Sequence, residues 1–217
     1  MRFFDEKPLI YLITKGDLTP ANFRKGLAAT LAIIEKAVAA EVSLVQIREK
    51  SLPAKRIFEL ARASAAITKG SNTKLLVNDR ADVAAAAGAD GVHLTAGSLP
   101  AEIVRKNFGA DFIVGVSAHS LKEVARARLA GANFATFSPI FATASKARYG
   151  APQGIAKLRE VSENQKDFPV IALGGIDAAN FAEALKAGAR GVAAIRLFGD
   201  AGNLRETVKK IRDYRNE

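Results

Sequence analysis

The chain has 217 residues, 49 % of them hydrophobic, which suits a single globular domain with a large core and excludes a disordered chain. It has no cysteine, which excludes a disulfide framework, a thiolate zinc site and a cysteine nucleophile, and it shows no apolar signal core or membrane-length run, so a cytoplasmic protein without a membrane partner is expected. The formal net charge of +10 comes from Lys and Arg scattered among Glu and Asp, with no basic run interleaved with aromatics; this argues against nucleic acid and for a field that draws in small polyanions.

Leu9-Ile10-Tyr11-Leu12-Ile13 reads as a first buried strand, and residues 22–39 carry an Ala/Leu/Ile-rich helical pattern. A second strand runs from Val42 to Ile47. Pro53 at the first helical position opens a helix over 53–68. Lys74 to Val77 is a third strand, followed by Asn78-Asp79-Arg80 and a short helix over 81–87. The strand Gly91-Val92-His93-Leu94 follows Ala87-Gly88-Ala89-Asp90. Ala-Gly-Ala returns at 130–132 and 187–189, each time before a strand, a weak repeat of helix, Gly cap and strand. Helices at 101–107 and 120–130 flank the strand Phe112 to Val116, and Phe134 to Phe137 is a sixth strand. A long loop from Ser138 to Gly154 leads into a helix ending near 165.

The seventh strand, Val170 to Leu173, runs into Gly174-Gly175-Ile176, with Asp177 expected to N-cap the next helix. Gly191 to Ile195 is the eighth, and a charged helix over 203–215 closes the chain. Eight short apolar strands alternating with helices predict a closed (β/α)8 TIM barrel, a single domain over 1–217, with an open doubly wound sheet as the alternative.

In such a barrel the chemistry lies at the C-terminal strand ends. Those positions hold Gln46, Arg48 and Lys50, which share one side if the strand continues; Asn78 and Asp79; His93; Thr95 to Ser98; Ser117 and His119; Thr143, Ser145 and Lys146; Gly174 and Gly175; and Arg196. Cations, amides, hydroxyls and one carboxylate suit a phosphorylated ligand and one divalent cation. Each has a plainer reading. Arg48-Glu49-Lys50 alone is an exposed loop, Asp79 an N-cap, and His93 a hydrogen-bonded core residue. Ser120 with Glu123 is a capping box. The Gly pair and the turn after Ile195 are either a phosphate cradle or two tight turns. The loop from Ala142 to Pro152, with Ser145, Lys146, Arg148 and Gly150, is either a basic lid or an ordinary surface loop.

Taken as a set, Gln-Ile-Arg-Glu-Lys at 46–50, Asn-Asp-Arg at 78–80, Asp-Gly-Val-His at 90–93, Gly-Val-Ser-Ala-His-Ser at 115–120, Ser-Pro-Ile-Phe-Ala-Thr-Ala-Ser-Lys at 138–146 and Leu-Gly-Gly-Ile at 173–176 resemble the thiamine-phosphate synthase/TenI family, in order over nearly the whole chain. The resemblance implies a (β/α)8 barrel that couples hydroxymethylpyrimidine diphosphate to thiazole phosphate. It implies that Gln46, Arg48, Lys50 and Asn78 hold the pyrimidine diphosphate, that Asp79 binds Mg2+, and that Ser117 and Lys146 touch diphosphate. Thr143, Ser145, Gly175 and the strand-eight loop would meet thiazole phosphate, and His119 and Lys146 are the implied catalytic pair. It also permits a homo-oligomer.

Two positions depart from the family pattern. Ser98 stands where the synthases carry a second carboxylate ligand, and Arg196 replaces a small residue. Leu94-Thr95-Ala96-Gly97-Ser98 is more similar to the TenI branch, whose members tautomerise a thiazole carboxylate phosphate without metal, with the histidine matching His119 as acid/base. A non-catalytic thiazole-phosphate binder is a third reading.

Overall fold

The computed structural model describes residues 8–143, 151–199 and 202–214. Its strands are β1 Leu9–Ile13, β2 Leu44–Ile47, β3 Lys74–Asn78, β4 Gly91–Leu94, β5 Ile113–Ala118, β6 Phe134–Phe137, β7 Val170–Leu173 and β8 Gly191–Ala194. All pair in parallel in sequence order, and β8 returns to β1, so the sheet is a closed barrel rather than an open one. The described helices are α1 Phe23–Ala39, α2 Ala54–Thr68, α3 Ala81–Ala87, α4 Ala101–Phe108, α5 Leu121–Leu129, α6 Gly154–Asn164, α7 Phe181–Lys186, α8 Arg196–Gly199 and α9 Leu204–Arg212. None is long and apolar enough to cross a membrane.

The strands are apolar throughout because both faces are buried. Leu9, Tyr11, Ile13, Leu44, Leu76, Ile113, Phe134, Ile171 and Ala193 fill the inside. Alternate residues such as Ile10, Leu12, Val45, Ile47, Leu75 and Val77 pack outward against the helices.

The Ala-Gly-Ala repeat has a double use. Gly88 takes a left-handed conformation (φ 74°) that ends α3. The residue just after the tripeptide then serves the lower rim. Asp90 Oδ2 accepts from the Leu75 amide at 2.8 Å, and Asn133 Oδ1 accepts from the Val114 amide at 2.7 Å. Ser43, just before β2, accepts from the Ile10 amide in the same way.

Several boundaries differ from those expected. Val42 finishes the α1 turn, its amide donating to Ala37 O, so β2 starts at Leu44. Pro53 is the N-cap of α2 rather than its first residue. β5 continues to Ala118 and so includes Ser117. Asp177 does not cap α7. It closes the preceding turn through Ala179 and Asn180 amides, and Asn180 is the N-cap, its side chain tied to the Asp177 amide and to Gly175 O. The four-residue α8 is additional.

Candidate active site at the barrel mouth

Because every strand runs the same way, the ends of all eight open onto one mouth. Gln46 is 1 % exposed and sits beside Ile13 and Leu76, which are inward-facing. Its Nε2 is buried with no hydrogen-bond partner among the described residues. β2 stops at Ile47, so the expected alternation does not extend to Lys50, which is exposed in a turn, while Arg48 is half-buried. Nor is 48–50 a simple exposed loop. The Glu49 carboxylate is buried and accepts from Thr14 Oγ1 at 2.6 Å, the Gly16 amide at 3.1 Å and the Leu18 amide at 2.9 Å. Thr14 and Glu49 were not singled out in the sequence. Local pattern gave no signal for them: β2 has ended before Glu49, and its three donors come from the β1–α1 loop, 31 to 35 residues earlier.

Asn78 ends β3 opposite His93, and its Oδ1 is likewise buried without a partner among the described residues. Asp79 is exposed and left-handed (φ 66°), with its amide donating to His93 O at 2.9 Å. A non-glycine residue with positive φ is uncommon, though Asp tolerates it. The carboxylate accepts no hydrogen bond from a described residue and does not cap α3, whose N-cap is Arg80 without a side-chain bond. Arg80 turns to Asp82, at 2.6 and 2.8 Å. Ser98 Oγ accepts from the Thr95 amide at 2.7 Å and lies 3.2 Å from Thr95 Oγ1, so this hydroxyl closes its own loop. Among the described residues no group of three His or acidic side chains forms a metal cluster. The donor set fits a hard cation through the Asp79 carboxylate, with the rest of the shell drawn from ligand phosphate oxygens and water.

His93 is a core residue. Its Nδ1 lies 3.1 Å from the Tyr11 hydroxyl and its Nε2 lies 3.0 Å from Ser117 Oγ. Burial, with the Arg48 charge second, lowers its pKa to about 3, so the ring is neutral at physiological pH. Burial likewise raises the Tyr11 phenol well above its usual value. The pair forms a polar floor that holds Ser117 from below.

His119 is exposed at the mouth. Its Nδ1 is 2.7 Å from Ser138 O. A carbonyl only accepts, so Nδ1 carries the proton and Nε2 presents a lone pair. Ser120 and Glu123 hold the following turn with one difference from the expected capping box: Ser120 Oγ accepts from the Glu123 amide, while Glu123 Oε2 accepts from the amide of His119, one residue before the N-cap, at 2.7 Å.

The Gly pair is shaped by contact with the β6–α6 loop. A Cβ on Gly174 would lie 2.7 Å from Pro139 Cα, and one on Gly175 would lie 2.6 Å from Phe141 Cβ. Ile140 and Phe141 amides donate to Leu173 O and Gly174 O, at 3.0 and 2.9 Å. Both glycines have positive φ. Arg196 starts α8 and is exposed; Thr143 is half-buried. Ser145, Lys146 and the centre of the expected lid, with Arg148 and Gly150, lie outside the described residues.

The family model described as thiamine monophosphate synthase matches residues 10–198. The chain belongs to the thiamine monophosphate synthase/TenI family. Its relatives include a Geobacter sulfurreducens protein 46 % identical over 186 residues, spanning 86 % of this chain and 84 % of that one. The thiamine-phosphate synthase of Moorella thermoacetica is 37 % identical over 184 residues, 85 % of this chain and 87 % of its own. Among solved structures, thiamine phosphate pyrophosphorylase from Pyrococcus furiosus superposes with a TM-score of 0.76 at 28 % identity, covering 94 % of this chain and 96 % of that one. Membership accounts for the barrel and for the six motifs that carried the resemblance.

Proposed function

We propose that this chain is a transferase of thiamine biosynthesis. It couples hydroxymethylpyrimidine diphosphate to thiazole phosphate and releases diphosphate. The observation that carries the reading is the buried amide pair of Gln46 and Asn78, unpartnered among the described residues, at the same mouth as the Asp79 carboxylate and Arg48. Buried polar atoms without partners cost about 1–3 kcal/mol each, which a ligand's hydrogen bonds would offset.

In this reading the methylene C–O bond breaks and the electron pair leaves with diphosphate. The thiazole nitrogen then captures the pyrimidine-methyl cation. Gln46, Arg48, Lys50 and Asn78 bind and orient the diphosphate substrate. Ser117, held by His93, and Lys146 donate to diphosphate oxygens as charge builds there. Thr143, Ser145, Gly175 and Arg196 seat the thiazole phosphate. A Mg2+ ion held by Asp79, diphosphate oxygens and water would supply charge neutralisation for the leaving group. The apolar wall of Ile13, Leu173 and Ile195 limits water near the cation.

A second reading is favoured by one observation, that His119 Nε2 has no hydrogen bond to a described residue. With Ser98 in place of a second carboxylate, it suits metal-free tautomerisation of a thiazole carboxylate phosphate. Incubation with both substrates and Mg2+ decides between them. Thiamine phosphate formation, lost in Asp79→Ala, supports the synthase. Absence of product at high Mg2+, with aromatisation that needs His119 but not Asp79, supports the tautomerase.

A further inference from the structure

We propose that Glu49, acting through Thr14, is a positioning residue that fixes Arg48 for the diphosphate. The inference rests on the reading that Arg48 meets that group. Glu49 lies between two basic residues, yet it pairs with neither. No ion pair to its carboxylate is found among the described residues, and at 4 % exposure it is held by hydrogen bonds alone. A buried charge held this way is costly to keep unless every lone pair is well used.

The donors that use it all come from the β1–α1 loop, the segment that passes over Arg48. The link runs through one hydroxyl. Thr14 Oγ1 donates to Glu49 Oε1 at 2.6 Å and accepts from the Arg48 amide at 2.9 Å, so both of its roles are set. The Thr14 amide donates to Gln46 O at 3.0 Å, which ties the same loop to the other side of the motif. Gly16, whose amide Glu49 also holds, lies directly against Arg48. A Cβ there would be 3.0 Å from Arg48 O and 3.6 Å from Nη1.

The root of the Arg48 side chain is therefore clamped by Thr14, and its path is walled by a loop wrapped around Glu49. A guanidinium held in place loses less freedom when it takes up an anion than a free one does. Glu49 touches neither substrate, so its effect reaches binding only through Arg48.

The test compares Thr14→Val, which keeps the shape but removes the bridging hydroxyl, with Glu49→Gln and with the rescue variant Thr14→Ser. Calorimetry with inorganic pyrophosphate and Mg2+ is run beside steady-state kinetics and hydrogen exchange of the Arg48 amide. Thr14→Val and Glu49→Gln should weaken pyrophosphate binding and raise the KM for the pyrimidine diphosphate by about tenfold. The KM for thiazole phosphate and kcat should stay within about twofold. Thr14→Ser should restore the parent values, and the Arg48 amide should exchange at least about tenfold faster in Thr14→Val.

An unchanged pyrophosphate affinity in Thr14→Val, or an equal rise in both KM values, overturns the proposal. If the parent protein neither binds pyrophosphate nor forms product, the synthase reading fails separately. Exchange then decides the lock: faster exchange in Thr14→Val upholds it, and an unchanged rate removes it.

Discussion

The two rims of this barrel put their polar side chains to different uses. At the lower rim most donors and acceptors serve the fold, although Thr73 Oγ1 there is also buried without a partner among the described residues. Arg105 places its guanidinium on the carbonyls of Gly109, Ala110, Phe112 and Gly131 and on Asn133 Oδ1, while Ser43, Asp90 and Asn133 take up strand amides. At the mouth Gln46 Nε2 and Asn78 Oδ1 are buried and unmatched among the described residues, and Asp79 holds a left-handed backbone, as Glu41 does at the lower rim. Orphaned atoms alone do not separate the rims; what does is the network below, where one guanidinium serves five acceptors, against the amides and carboxylate gathered at the strand ends above. The mouth is not uniformly unmatched, for Glu49 and the Ser120–Glu123 box are as well paired as anything below.

The contrast is broken most sharply at Asp79. Asp79→Gly should lower kcat/KM for coupling by about 1000-fold. The same change should raise stability by about 0.5–1 kcal/mol, because glycine suits the left-handed backbone. Urea unfolding beside a product assay reads both, and a loss of stability would remove the claim that the turn is strained for function. Arg105→Ala is the mirror case. It should cost roughly 2–4 kcal/mol of stability while leaving kcat/KM of the folded fraction unchanged.

His93 lies between the rims and gives a pH dependence. Its pKa of about 3 in the folded chain is below the unfolded value of 6.5. The unfolded chain therefore takes up a proton below pH 6.5 that the native chain refuses until about pH 3. Stability falls as pH drops through that window, by up to about 1.4 kcal/mol per pH unit from this group. Urea midpoints at pH 7, 6 and 5, with imidazole NMR showing a neutral His93 at pH 5, check the sign.

Gln46→Leu should raise the KM for the diphosphate substrate about tenfold while leaving stability unchanged or up to about 1 kcal/mol higher, since an orphaned amide is removed. Ser120→Ala should cost about 1 kcal/mol through loss of the α5 cap, read as a lower unfolding midpoint.

Much of the barrel was legible because parallel strands buried on both faces write themselves as short apolar runs, and because Ala-Gly-Ala marks three helix-to-strand returns. The mouth was legible in outline because strand ends in such a barrel must converge. Its details were not. The four residues of α8 are too few to show a helical period. Asp177 and Asn180 are both good caps, and only the three-dimensional turn chooses between them. Glu49 was hidden by charged neighbours on both sides, and the β1–α1 loop that buries it is distant in sequence. The left-handed backbone of Asp79 is set by a bond to His93 O, a long-range contact that composition does not record.

Gly174 has a reach that its size conceals. Its hydrogen faces Pro139, the residue after Ser138, and Ser138 O is the group on which the His119 ring hangs. One methyl group added at 174 would push that proline outward and swing the imidazole with it. The width of the glycine turn after β7 and the aim of a ring after β5, two strand ends away, are thus a single adjustable dimension, and evolution can retune neither alone.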